Sequence, residues 1–353
     1  MLPYWLLFST GAVLALTSWW RHSGFAARVI TVAIILSLTL FVGYRFETGA
    51  DWGAYEFIFL DINRMNLGDA LTYIEPAYSF INWVVGLFGG NLWHVNLLCA
   101  AFFSWALVRF CQTLPLPGVA FLAAIPTLII VVAMSYTRQS CAVACIMLAM
   151  RAYDGSFNWR WLVWLSLGAT FHNSTILMFP VFILAASKNR VVSLAMGAVV
   201  IAALLSFFIL DNAQGLIARY LEGDVQSSGT IPRILLATIP ALLFFLVKNR
   251  RERIGGRYAL LRNMAYASLL LIPMVFLVNS TTVVDRIGVL LLPFQLYFYS
   301  LAPLSFARNR IAQTAIVAAI VAVNGVTLAV WLSFSDYSNY WVPYRNVIFE
   351  DYL

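Results

Sequence analysis

Apolar runs long enough to cross a bilayer as helices recur along the whole chain, and no other feature narrows its fold as much. They fall near 3–20, 29–44, 92–110, 118–135, 136–151, 160–171, 173–187, 191–210, 232–247, 263–278, 285–306 and 311–333. The expected fold is all-α, a polytopic membrane protein with about 12 transmembrane helices. Only 10% of the residues are charged and mean hydropathy is +0.85, far from the balance of a soluble domain. Residues 1–353 therefore read as a single integral-membrane domain. The first apolar run lacks a basic n-region and reads as a retained span, not a cleaved signal.

Charge sets the expected orientation. One set of alternate loops holds 15 of the 22 basic residues and, among acids, only Asp154 and Glu252. That set faces the cytoplasm. Both termini and the stretch Arg45–Tyr78 then face outward. The net charge of +7 thus reports topology and no nucleic-acid partner. The run Lys248–Arg257 is the main cytoplasmic loop, a topology determinant in contact with lipid phosphates. All four cysteines lie in or beside apolar runs. Cys141 and Cys145 share a helix face and read as small residues at a helix contact, not as a metal pair.

Three places break the pattern. Pro76–Gly90 is too short for a span of ~20 residues and reads as a re-entrant or interfacial helix near 76–90, begun by Pro76 and ended by Gly89-Gly90. Residues 160–187 hold two segments where two full spans need about 40 residues. Their junction, Phe171-His172-Asn173-Ser174, is expected inside the membrane profile, lining a cavity or packed in protein. The junction Ser135–Gln139 joins two apolar runs almost without a loop, which sets Arg138 at the outer interface.

The chemistry-bearing residues gather at those outer ends. Six of the 15 acids, Glu47, Asp51, Glu56, Asp61, Asp69 and Glu75, lie in the 45–75 loop, the expected wall of a catalytic cavity. A second wall is expected at 211–231, flanked by Arg219 and Arg233. Arg45, Arg138 and Arg286 together would make an anion site, since guanidinium groups stay charged and pair with phosphate oxygens in a bidentate manner. Arg138 opens a segment whose small-residue face, Cys141, Ala142, Cys145 and Ala149, implies a buried helix. The candidate bases are Asp51, His172 and Glu75. Imidazole is the side chain suited to taking a proton near neutral pH, whereas Asp51 and Glu75 serve either as base or as ion-pair partner of an arginine. Tyr55, Tyr78, Tyr136, Gln139, Asp285 and Tyr344 are further candidate binding and support residues. The tail Trp341–Asn346 either belts the membrane interface or closes over the cavity. No cofactor is expected. Zinc, nucleotide and serine-hydrolase motifs are missing from the sequence.

The ordered set Arg45, Gly49-x-Asp51-x-x-x-Tyr55, Glu75-Pro76-x-Tyr78, Arg138-Gln139, Phe171-His172-Asn173-Ser174, Asp285-Arg286 and Pro343-Tyr344 resembles the EpsG-like branch of the Wzy polysaccharide polymerases. The outer loop after an early span also resembles that of GT-C glycosyltransferases. This resemblance implies a metal-independent enzyme of the bacterial inner membrane. It would join polyprenyl-pyrophosphate oligosaccharide donor and acceptor units at the outer face. Membrane lipids, a chain-length regulator and export proteins would be its partners. A glycan ligase, a lipid-linked oligosaccharide transporter and a membrane O-acyltransferase remain the alternative readings.

Overall fold

The protein is described here by a computed structural model covering residues 1–17, 24–187, 195, 230–277 and 281–349. The expected span at 191–210, most of the 211–231 wall, Arg219 and the Arg233 side chain lie outside the described residues.

Regular structure among the described residues is helical throughout, apart from one isolated bridge between Arg45 and Asn346. The N-terminal half starts with α1 (Leu2–Leu16) and α2 (Phe25–Gly43), the latter free of charge after Arg28. Three short helices follow in the outer stretch: α3 (Trp52–Ile62), α4 (Leu67–Tyr73) and α5 (Pro76–Leu87). The 45–75 stretch is therefore largely helical. Asn66 caps α4 by accepting from the Asp69 amide, and Pro76 starts α5 where no amide donor is needed. α6 (Leu92–Cys111) and α7 (Pro117–Ala124) come next, and α7 continues as a π-helix over Ile125–Ala133. α8 (Thr137–Ala152) and α9 (Trp159–Phe171) lead through a 3-10 turn at Asn173–Leu177 into α10 (Met178–Ala186).

The C-terminal half contains α11 (Thr230–Phe244), α12 (Arg250–Ile254), α13 (Tyr258–Leu277), α14 (Thr281–Leu290), α15 (Leu292–Phe306) and α16 (Arg310–Phe334). Four helical stretches among the described residues are long and apolar enough to cross a membrane: Phe25–Gly43, Leu92–Cys111, Arg250–Phe276 and Arg310–Phe334. The α14–α15 pair makes a fifth if counted as one bent span. The protein is thus an all-α, multi-pass membrane protein.

One expected segment needs correction. The run 285–306 is not one straight helix: it breaks at Leu291 and bends by 50°. Pro293 explains the break, because it has no amide to donate and its ring crowds the carbonyl one turn back. Asp285 and Arg286 consequently sit on a short helix of their own, angled to the rest.

The buried centre is α8. Every residue from Gln139 to Met150 is buried, with α9 and α6 as its main neighbours. In lipid there is no hydrophobic drive between helices, so close backbone approach across small residues holds them together. Cys141, Ala142, Ala144, Cys145 and Ala149 supply that surface. The expectation of a buried helix behind Arg138 holds.

The C-terminal tail packs Trp341 and Tyr344 against the helices. The Trp341 indole is buried and donates from Nε1 to the Ile130 carbonyl of the π-helix, at 2.7 Å. Tyr344 stacks on Phe41 and donates to the Phe41 carbonyl. An indole needs a hydrogen-bond partner when buried, and a π-helix leaves carbonyls poorly used, so each solves the other's problem.

Candidate functional site

The site begins with a close backbone approach. Gly49 has a left-handed φ of +103°, and a Cβ there would lie 2.1 Å from the Met134 carbonyl oxygen. Only glycine lets the outer stretch press against the junction between the π-helix and α8. The Gly49 amide is also held by the Tyr340 carbonyl, and Phe46 by Arg345, so the tail pins the loop from outside. Two residues on, the Asp51 amide donates to Ser135 Oγ at 3.4 Å. Asp51 thereby stands at the start of α8, beside Arg138.

Three segments far apart in sequence meet on Glu75. Its Oε2 accepts from Arg138 Nη1 at 2.5 Å, and its Oε1 lies 2.9 Å from His172 Nδ1. Pro76 fixes Glu75 just outside α5. Arg138 occupies the first turn of α8. His172 is the extended residue that ends α9, where the chain breaks before the 3-10 turn. The Arg138 guanidinium lies over the Tyr55 ring, 5.7 Å from its centroid, and the Arg138 amide faces Tyr55 Oη at 3.4 Å. Tyr55 in turn packs on Tyr78. Beneath them, Cys141, Ala142, Cys145 and Phe171 complete a small apolar floor.

Electrostatics set the two acids apart. Burial by itself would raise Glu75, but the hydrogen bond from His172 and the charge of Arg138 outweigh it and bring it to about 2. Burial pushes the Asp51 carboxyl up, and the charges of Arg286 and Arg138 only partly counter this. Glu75 is therefore held as an anion, whereas burial works against the charged form of Asp51. Because ionised Glu75 can only accept, His172 carries a hydrogen on Nδ1, and in the neutral tautomer with that hydrogen Nε2 is an acceptor.

Arg286 joins from the C-terminal half. Gln139 on α8 donates to the Arg286 carbonyl at 2.7 Å, and the Arg286 charge acts on Asp51. Asp285, beside it, is buried and lines a small cavity together with Gln295 and Thr127. Tyr136 is the residue before α8 and packs against the core.

Two expected site residues are not brought to this group. Arg45 is 2% exposed and donates to the Val42 carbonyl, Asn96 Oδ1 and Thr137 Oγ1. It lies one layer beneath, tying α2, α6 and α8 together, because a guanidinium at the end of a buried helix seeks the nearest acceptors. Tyr344 is likewise engaged with Phe41, Tyr4 and Asn346. Sequence reasoning missed Ser135, Asn96 and Thr137. Their signal was faint: single polar residues inside or beside apolar runs.

A multi-pass helical membrane protein with a Glu75-centred acid–base cluster at one end of its most buried helix is what these observations define. Residues 28–346 match the EpsG family, and the chain belongs to that family. It is a glycosyltransferase, and the family's role is to polymerise polysaccharide repeat units at the membrane. No curated protein and no solved structure matches it. No group of three or more His, Cys, Asp or Glu poised for a metal occurs among the described residues.

Proposed function

We propose that the protein joins polyprenyl-pyrophosphate oligosaccharide units at the outer face of a bacterial inner membrane, in a GT-C-like arrangement of about 12 spans with both termini outside. The observation that carries this reading is Glu75, with one oxygen on an arginine and the other on a histidine. That arrangement pairs an anion-binding cation with an oriented base on a single carboxylate.

In this reading Arg138 and Arg286 hold the donor's pyrophosphate. His172 Nε2 takes the proton from an acceptor hydroxyl, and Glu75 steadies the imidazolium that forms. The acceptor oxygen bonds to the donor's anomeric carbon. The bond from that carbon to pyrophosphate breaks, and its electron pair leaves with the phosphate oxygen, where the two arginines stabilise it. Asp51, whose carboxyl feels the charges of both Arg286 and Arg138, screens their mutual repulsion until the pyrophosphate arrives. Arg45 braces α2, α6 and α8 against one another beneath the site.

A lipid-linked donor suits the surroundings. An apolar cavity of about 470 Å³ lies between α11, the π-helix and α16, lined by Val131, Leu235, Ile239, Val326 and Val330, with Asp336 at one end. It shares Thr127 and Leu236 with the small cavity that holds Asp285. A polyprenyl tail there would lead toward Arg286.

The test is purified protein mixed with a synthetic polyprenyl-pyrophosphate repeat unit, followed by mass analysis. A ladder of products separated by one repeat unit is expected. A single capped product would make the protein a ligase. Lipid movement between leaflets without a new glycosidic bond would make it a transporter.

A further inference from the structure

The other end of α8 carries a second concentration of arginine. Arg151 lies 13 residues beyond Arg138, about 20 Å along the helix. There, arginines from four separate segments converge: Arg109 at the end of α6, Arg151 at the end of α8, Arg251 and Arg257 around α12, and Arg262 in α13. The charges of Arg109 and Arg257 both act on Arg151.

Charge bias alone asks only that arginines sit in loops on one side of a membrane. It does not ask them to be assembled. Here they are assembled, because Gly155 and Gly256 pack backbone to backbone. A Cβ on Gly256 would lie 2.5 Å from the Asp154 carbonyl oxygen, and one on Gly155 would lie 3.0 Å from the Gly256 carbonyl oxygen. Arg257 adds a hydrogen bond from Nη2 to the Arg151 carbonyl, at 3.2 Å.

Two basins share Asp154 and Gly256. One of about 380 Å³ is lined by Arg251, Arg262 and Tyr258. The other, of about 360 Å³, is lined by Arg151, Arg257 and Tyr297. The nearby acid, Asp154, is exposed and borders both basins, but its carboxylate is engaged by its own loop: it accepts from the Ser156 amide, Ser156 Oγ and Asn158. Glu252, the other acid of this face, lines neither basin. Arg250 and Arg253 give their guanidinium groups to the carbonyls of Phe245 and Leu304 and stay out of both basins.

We propose that these basins form a binding site for a phosphate group at the face opposite the Glu75 cluster. Each basin sets two guanidinium groups against the single, loop-engaged carboxylate of Asp154, and paired guanidinium groups match phosphate in charge and geometry. The phosphate is carried either by an anionic phospholipid headgroup or by a soluble molecule. The site is independent of the polymerase reaction and rests on different residues.

The experiment is native mass spectrometry of the full chain, titrated with phosphatidylglycerol, with phosphatidylcholine, and with inorganic pyrophosphate. The variants are R151Q/R257Q, one pair from the second basin, and R251Q/R262Q, one pair from the first. The control is R308Q/R310Q, which removes the same charge from exposed residues outside both basins. Wild-type protein is expected to retain phosphatidylglycerol over phosphatidylcholine, with apparent affinity falling about tenfold in either basin variant and less than about twofold in the control. Retention of pyrophosphate with the same variant pattern, and no lipid preference, would assign the site to a soluble phosphate. Equal loss in control and basin variants would reduce the feature to diffuse surface charge and overturn the proposal. So would unchanged binding in both basin pairs. Circular dichroism and gel filtration identify a variant that fails to fold, in which case the other basin pair decides.

Discussion

α8 has an arginine near each end, and the two ends treat it in opposite ways. At Arg138 the charge is matched. Glu75 lies 2.5 Å away, Asp51 stands nearby, and His172 completes the group. At Arg151 the charge is left in surplus, with further arginines around it and the local aspartate committed to its own loop. A balanced cluster can stay buried and rigid, and it is suited to charge that appears only briefly in a reaction. A surplus must stay open to solvent or headgroups, and it is suited to a standing anion. The same residue type on the same helix thus takes its role from which acids the fold brings to it.

The largest expected effect comes from the matched end. Arg138→Ala should lower polymer formation on the order of 10³-fold, read as product ladders from membranes in which the protein is still inserted. Arg138→Lys should restore little of it, because an ammonium cannot bridge Glu75 and a phosphate as a guanidinium does. Wild-type ladders from Arg138→Ala would break the comparison outright.

His172→Ala should cost on the order of 10²-fold in turnover at neutral pH. Glu75→Gln should also lower turnover, and the double variant should be little worse than either alone, because the two residues act as one unit. Fully additive losses would separate them and return Asp51 to the position of base.

Arg45→Met tests the buried arginine against the site arginines. Three acceptors lose their donor, so stability should fall by about 3 kcal/mol, seen as a lower thermal midpoint in detergent. The fraction that remains folded should keep a KM for donor near that of wild type. A raised KM with unchanged stability would place Arg45 on the pyrophosphate instead.

The smallest effect is one of pH. Glu75 is lowered from 4.5 to about 2, so its pairing stabilises the fold in full above 4.5 and the benefit is lost as pH falls toward 2. The thermal midpoints of wild type and Glu75→Gln should therefore differ most at neutral pH and converge across that acid window. A constant difference down to pH 2 would mean that the Glu75 charge contributes nothing.

Much of this was legible without coordinates, for a reason visible in particular residues. Glu75, Arg138 and His172 each stand at the end of an apolar run, where a charge in a membrane chain is costly unless it has a use. Pro76 and the short loop at Ser135–Gln139 marked the boundaries that the helices respect. The π-helix over Ile125–Ala133 had only Pro126 as a sign, which marks a lost amide donor and not the helix form that follows. Arg45 and Arg138 looked alike in sequence, and so did Tyr344 and Tyr55.

What the sequence by itself determined is the solvent of this protein and the stock of groups that could do chemistry: apolar runs require helices in lipid, and the scarce charges collect at their ends. Only the tertiary structure decided which charges meet. Glu75 and His172 are 97 positions apart, and Arg45 and Thr137 are 92 apart. Pairing over such distances depends on how helices cross. That, in turn, depends on backbone contacts such as Gly49 against Met134, which no single stretch of sequence records.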